Sequence, residues 1–320
     1  MRSTVSSIPD VDVQPGKPPV LTAEPDGDAV RWTSEHCTSL RALVNEHGSL
    51  LVRGLGLRDP EGAGMVFRHL GNLMNETEAF APRQPRGDGV YSSSKWPPNQ
   101  VMCMHHELSY LPAPPGLMFF ACLTPARSGG ATPIADSAAV LDGLPAELTG
   151  RFEQLGWMLI RNYNDEIGAS VAQAFGTNDH GAIENYCRAN EIRFEWLPGG
   201  GLRTWQRRSA IVSHPLSGRR CWFNQIAFLN EWTLAPEVRE YLVDVYGNDG
   251  LPFNTRFGDG SPIGSDIIQL INRVYEAHTV REAWRAGDLL LVDNIRTAHG
   301  REPFEGPREV VVAMADAIHL

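Results

Sequence analysis

Short apolar runs bounded by turn-forming residues recur along the chain, and each has the length and punctuation of a buried strand. They fall at Ser49–Arg53, Gly116–Cys122, Gly156–Arg161, Ile192–Trp196, Ala210–Ser213, Arg220–Gln225, Asp288–Val292 and Glu309–Ala315. Between them the spacing turns helical. Leu40, Leu43 and Val44 share one face of a helix predicted over His36–His47, with Gly48 placed to end it in the left-handed conformation. Further helices are predicted at Pro60–Leu73, Pro145–Leu155, Ile167–Phe175, Pro236–Tyr246 and Ile263–Ala277, several opened by proline. The pattern is that of a β-rich α+β domain. Residues 1–28 are rich in Pro, Ser, Asp and Gly without periodicity, which predicts a flexible arm ahead of a single domain over 29–320. No repeat or mid-chain linker divides that domain. Asn162–Asn190 reads as a helical insertion near a site, and Phe257–Gly264 (FGDGSPIG) as a loop.

Composition narrows the function. A formal net charge of −10 without a basic block argues against a nucleic-acid surface. The five cysteines are odd in number and never spaced C-x-x-C, so neither a disulfide framework nor a cysteine-zinc site is expected. No apolar stretch approaches the ~20 residues of a membrane span, and no secretory leader is visible. The expectation is a cytoplasmic protein acting on a small molecule, with no membrane or nucleic-acid partner.

The chemistry concentrates in VMCMHHELSY (Val101–Tyr110). In an extended chain residues two apart share a face, so His105 and Glu107 point one way and His106 the other. A helical zinc site H-E-x-x-H starting at His106 fails, because Tyr110 stands where the second histidine belongs. Alone, His-x-Glu decides nothing: with 10 histidines among 320 residues and 38 acidic ones, chance supplies about one such triplet. The C-terminal stretch LLLVDNIRTAHGREPFEGPREVVVAM adds the missing piece. Its His299 sits in a polar turn between two apolar strands. Two imidazoles and one carboxylate make the facial set typical of non-haem Fe(II) oxygenases, leaving positions for a 2-oxo acid and dioxygen. Arg308, across the turn from His299, offers the planar fork that suits a distal carboxylate. GLGLRD (Gly54–Asp59) lacks the third glycine of a dinucleotide fingerprint, and neither a G-x-S-x-G elbow nor a Walker A sequence occurs.

From Gly48 to Ala315 the segments GSLLVRGL, YSSSKWPPNQ, HHELSY, GGATPIAD, HPLSGRRCWFNQ and DNIRTAHGREPFEGPRE stand in an order that resembles the taurine dioxygenase and clavaminate-synthase-like oxygenases. The resemblance implies a double-stranded β-helix, a distorted jelly roll flanked by helices. It implies iron on His105, Glu107 and His299, and 2-oxoglutarate on Thr132 and Arg308. The wording of HHELSY and WFNQ resembles members that hydroxylate amino acids of natural-product pathways, free or tethered to a peptidyl carrier protein. Glu107 argues against halogenation, since halogenating relatives replace that carboxylate with a small residue. A substrate wall of Ser93, Asn224 and Gln225 is implied likewise, and Arg207, Arg208 and Arg301 are available for an acidic substrate group.

The expected reaction consumes Fe(II)-bound 2-oxoglutarate and O2, yields succinate and carbon dioxide, and hydroxylates an unactivated C–H bond. Desaturation, epoxidation and cyclisation use the same cofactors and stay open. A zinc hydrolase also suits two histidines and a glutamate, but it leaves Thr132 and Arg308 without a role.

Overall fold

The strand Pro115–Thr124 is buried along almost its whole length and is therefore covered on both faces. In the structure, a computed structural model describing residues 10–76, 78, 83–94 and 96–320, its side chains alternate between two apolar clusters. Met118, Phe120 and Cys122 enter one; Phe119, Ala121 and Leu123 enter the other. Its antiparallel neighbours, Leu289–Asp293 and Glu309–Ala317, divide in the same way. The eight-stranded main sheet runs Val20–Thr22, Ser49–Arg53, Leu289–Asp293, Pro115–Thr124, Glu309–Ala317, Val90–Ser92, Pro85–Gly87, with Leu73–Met74 also on Glu309–Ala317.

Two helices cover the outer face. Ala29–His47 starts at Asp28, whose side chain accepts the Arg31 N–H, and ends at Gly48 with φ 83°, where the Gly48 N–H donates to the Val44 carbonyl. Leu40 and Val44 from this helix, and Val66, Phe67 and Leu70 from Pro60–Leu70, fill the outer cluster. The inner face meets a four-stranded sheet ordered Thr279–Val280, Ile134–Asp136, Thr297–Arg301, Met102–His105. A third sheet runs Ile192–Trp196, Leu202–Arg208, Trp157–Tyr163, Phe253–Phe257. The molecule is thus mixed α and β, with eight α-helices among the described residues, none long and apolar enough to cross a membrane.

Ser49–Arg53, Ile192–Trp196 and Pro236–Tyr246 occur with the bounds read from sequence. Other parts differ. Val20–Thr22, inside the expected arm, is a strand parallel to Ser49–Arg53, because Leu21 and Ala23 find burial there. The first helix starts at Ala29, the helix His180–Ala189 falls within the helical insertion expected over 162–190, and helix Ser137–Gly143 and strands Leu202–Arg208 and Phe253–Phe257 were not expected. His299 lies within the strand Thr297–Arg301, not in a turn. Residues 1–9 of the arm and Lys95 of the YSSSKWPPNQ segment fall outside the described residues.

Candidate metal centre and co-substrate cavity

Register creates the centre. Met102–His105 pairs antiparallel with Thr297–Arg301, and His105 and His299 are Cα partners, so their rings lie 4.5 Å apart between centroids. After His105 the chain leaves the strand, and the Asn294 side chain captures it. The Glu107 N–H donates to Asn294 Oδ1 at 2.8 Å, while Asn294 Nδ2 donates to the Glu107 and Pro115 carbonyls at 3.0 and 2.8 Å. His105, Glu107 and His299 thereby bring one ligand atom each to within 4.8 Å of one another, all three residues buried. His106 points away, with Nδ1 on the Asn294 carbonyl at 2.5 Å and Nε2 on Ser137 Oγ at 3.1 Å.

Partners fix the protonation states. His105 Nδ1 lies 2.8 Å from the Cys103 carbonyl, which can only accept, so Nδ1 carries the proton and Nε2 keeps its lone pair. Burial first, then the neighbouring His299, pushes the His105 pKa down to about 3. Burial would raise the Glu107 carboxyl, but the Arg83 guanidinium and both imidazoles hold it well below the usual carboxylate range. His299 has Nδ1 buried without a hydrogen-bond partner among the described residues, and its Nε2 stops 3.7 Å from Glu107 Oε2. The ring of His105 stacks on Phe228 at 4.4 Å, and His299 meets the edge of Phe120 at 5.1 Å.

A cavity of about 40 Å³ opens beside these groups, lined by His105, His299, Phe120, Thr132, Arg83, Arg301 and Arg308, with Ser93 and Val310 at one side. Ser93, Arg308 and Val310 also line a wider pocket of about 410 Å³. Gly129 and Gly130 let Arg308 in. A Cβ on Gly129 would meet the Pro303 carbonyl oxygen at 2.2 Å, one on Gly130 would sit 3.1 Å from Arg308 Cδ, and both have positive φ (66° and 75°). The Gly130 carbonyl accepts from Arg308 Nε at 2.9 Å. Burial and the nearby Arg301 lower the Arg308 pKa to about 10, and no carboxylate pairs with Arg308 among the described residues. Thr132 Oγ1 accepts from Trp284 Nε1 at 3.3 Å, which leaves its own O–H to donate.

A family model described as taurine catabolism dioxygenase TauD, TfdA family, matches residues 12–314. The chain belongs to this family. The dapdiamide synthesis protein DdaC of Enterobacter agglomerans is 32% identical to it over 320 residues, covering 100% of this chain and 95% of DdaC. A clavaminate synthase-like protein of Arabidopsis thaliana is 28% identical over 287 residues, 86% of this chain and 83% of that protein. Among solved structures, PvcB of Pseudomonas aeruginosa shares the fold at TM-score 0.56 and 16% identity, covering 96% of this chain and 89% of its own. PvcB is described as an Fe, alpha-ketoglutarate-dependent oxygenase from an isonitrile synthetic pathway. The TauD-family chain is accordingly an Fe(II)- and 2-oxoglutarate-dependent oxygenase, and the zinc-hydrolase alternative falls.

The donor set of this TauD-family oxygenase fits ferrous iron: two imidazoles and a carboxylate converge in a buried place, and His299 Nδ1 is buried there without a hydrogen-bond partner among the described residues. Of the residues expected from sequence, His105, His299, Thr132, Arg308 and Ser93 share the cavity. Asn224 does not face it, since its amide donates to the Ala210 carbonyl and accepts the Ile226 N–H. Gln225 is 3% exposed, with Oε1 unpartnered among the described residues, and lies outside the cavity lining. Arg207 and Arg208 line a separate pocket, Arg208 being held by the Tyr110 and Asn190 carbonyls. Arg301 reaches the cavity, but its Nη atoms are taken by the Trp96, Pro97 and Gln100 carbonyls. Sequence reading missed Arg83, Asn294, Phe228 and Trp284. Only the DN pair at the end of an apolar strand marked one of them.

Proposed function

We propose that this oxygenase holds iron on His105, Glu107 and His299, binds 2-oxoglutarate through Arg308 and Thr132, and hydroxylates an unactivated C–H bond of an amino acid or carrier-tethered aminoacyl group in secondary metabolism. The observation that carries the reading is one cavity lined by two of the converging imidazoles and by an arginine without a carboxylate partner among the described residues. A buried cation of that kind is costly until an anion arrives, and the distal carboxylate of 2-oxoglutarate is such an anion. The similarity to DdaC, a dapdiamide synthesis protein, favours natural-product chemistry. The pairing of an eight-stranded sheet with a four-stranded one across the inner cluster supports a double-stranded β-helix in one domain, and a cytoplasmic setting suits free thiols.

When bound, ferrous iron with 2-oxoglutarate and O2 supplies the C–H oxidation, with succinate and carbon dioxide as co-products. The protein's part is to position and to exclude water. The Cys103 carbonyl keeps the His105 proton on Nδ1, so Nε2 is always ready to ligate. Asn294 fixes the backbone of Glu107. Phe120, Val310 and Val312 line the cavity with apolar surface, which strengthens every polar contact inside it.

Two measurements test this. Anaerobic addition of Fe(II) and 2-oxoglutarate gives a weak visible charge-transfer band, and Zn(II) in place of iron gives none. Succinate release and product mass are then followed across free and carrier-bound amino acids. A product 16 mass units heavier on an aminoacyl substrate is the expected result. Loss of two hydrogens, or turnover confined to non-amino-acid substrates, overturns the assignment of reaction or substrate.

A further inference from the structure

Arg83 joins the metal centre from a segment that carries no motif. Its guanidinium is spent on three groups: Nη2 donates to Glu107 Oε2 at 2.8 Å, Nη1 to Glu76 Oε1 at 3.2 Å, and Nε to Ser94 Oγ at 3.3 Å. The Arg83 N–H also donates to Glu76 Oε2 at 3.3 Å, so Glu76 is held at both oxygens. All three charged side chains are nearly closed off, with 10%, 7% and 6% exposure for Glu76, Arg83 and Glu107. The result is a buried carboxylate–guanidinium–carboxylate row whose inner end is the only acidic member of the metal centre.

We propose that Arg83 is a positioning residue that keeps the Glu107 carboxylate turned toward the two imidazoles, with Glu76 as its neutralising partner. This rests on the reading of Glu107 as an iron ligand. Three donors on one face leave three positions, and the reaction uses all of them: two for the chelating 2-oxo acid and one for dioxygen. A carboxylate that swung out of line would withdraw one of the three donors or intrude on those places. Glutamate has one more side-chain torsion than aspartate and so more freedom to swing. Arg83 Nη2 binds the same Oε2 that lies 3.7 Å from His299 Nε2, so a charge-assisted hydrogen bond from a rigid fork fixes the oxygen that faces the imidazoles.

Glu76 completes the device. Alone, a buried guanidinium beside the centre would repel the incoming cation and be costly to bury. Paired with Glu76 it adds no net charge, so the negative charge of Glu107 remains for the metal. Outer hydrogen bonds to ligating carboxylates affect metal affinity or activity by about 10–100-fold when lost, and that sets the scale expected here.

The test uses the full chain and readouts that need no organic substrate: anaerobic Fe(II) titration and the charge-transfer band formed with 2-oxoglutarate. Arg83→Gln is expected to weaken Fe(II) binding by about 10-fold or more and to shift or diminish the band. Arg83→Lys, which keeps the charge but cannot bridge two carboxylates, falls between, and Glu76→Gln weakens iron in the same direction by less. In a Glu107→Asp background, where the carboxylate is drawn back from Arg83, adding Arg83→Gln should change Fe(II) affinity by less than about 3-fold, because a residue acting through Glu107 has nothing left to act on. Equal losses in both backgrounds, or wild-type affinity and band in Arg83→Gln, overturn the proposal. If Arg83→Gln does not fold, Arg83→Lys decides, and unchanged iron binding there is equally fatal. Absence of the band in the wild-type protein, by contrast, counts against the iron site itself.

Discussion

At the scale of single residues, hydrogen bonds to groups of fixed polarity decide which histidine of the HHE triplet serves the metal. The Cys103 carbonyl holds the proton of His105 on Nδ1, and the Asn294 carbonyl and Ser137 hydroxyl occupy both nitrogens of His106. His105→Ala should therefore lose most Fe(II) affinity in an anaerobic titration, while His106→Ala retains iron and loses stability instead. The reverse result would exchange their roles. Arg308 and Thr132 act on the co-substrate. Removing one partner of a buried, hydrogen-bonded charge pair costs ~2–5 kcal/mol, and each ~1.4 kcal/mol is tenfold in affinity. Arg308→Ala should raise the apparent 2-oxoglutarate constant by about 30-fold or more, and Thr132→Ala by less, with Fe(II) affinity unchanged in both. A 2-oxo acid lacking the distal carboxylate should be nearly indifferent to Arg308→Ala. If Arg301→Ala abolishes 2-oxoglutarate dependence and Arg308→Ala does not, the anchor moves to Arg301, whose hydrogen bonds to the 96–100 backbone now argue against that role.

At the scale of elements, what was legible in the sequence divides by where the polar residues point. Ser49–Arg53 and Glu309–Ala317 carry apolar runs buried on two faces, and such runs announce themselves. Thr297–Arg301 (TAHGR) reads as a turn because it is polar, yet all five residues are buried: His299 and Arg301 line the cavity, and the Thr297 hydroxyl donates to the Gly48 carbonyl. Leu202–Arg208 hid for the same reason. Its buried positions include Thr204 and Gln206, and Gln206 Nε2 donates to the buried Glu78, so the apolar alternation that marks a strand is missing. The His-x-Glu pair, which chance alone supplies about once, became a candidate only when His299 and the order of the surrounding segments were added to it. Arg83 was not legible, because its partners at 76, 94 and 107 share no local spacing with it. The two-glycine turn at Gly129–Gly130 gives a prediction at this scale. Gly130→Ala puts a methyl against Arg308 Cδ on a backbone of positive φ. It should impair 2-oxoglutarate saturation while leaving Fe(II) affinity near wild type, and a variant with normal 2-oxoglutarate titration would show that the turn does not set the Arg308 position.

At the scale of the whole molecule, the centre joins the inner face of the main sheet to the four-stranded sheet, since Asn294 follows the strand Leu289–Asp293 and grips Glu107 just beyond Met102–His105. Its protonation is therefore linked to global stability. Burial, followed by neighbouring charge, lowers His105 to about 3, and burial lowers His106 to about 4 even against its hydrogen bond to the Asn294 carbonyl, both from 6.5. Between those values and 6.5 the unfolded chain binds more protons than the folded one, so stability rises with pH through this window. Glu107, held below its ordinary value, acts in the same direction: its contribution is present above the unfolded carboxylate value and is lost as pH falls. The apo protein should thus keep a nearly constant denaturant midpoint from pH 8 to about 7 and lose stability steadily from about pH 6.5 toward 4. Adding Fe(II) and 2-oxoglutarate anaerobically at ~100 times their dissociation constants should stabilise the fold at pH 7 by ~2.7 kcal/mol per independent ligand. That stabilisation should shrink as the pH drops, because protons and iron compete for the same Nε2 atoms. Denaturant melts at pH 7.5, 6 and 5, with and without the two ligands, separate the cases. A midpoint of the apo protein that does not move between pH 6.5 and 5 would mean that these histidines are not buried and neutral in solution. A ligand effect independent of pH would mean that iron binds elsewhere.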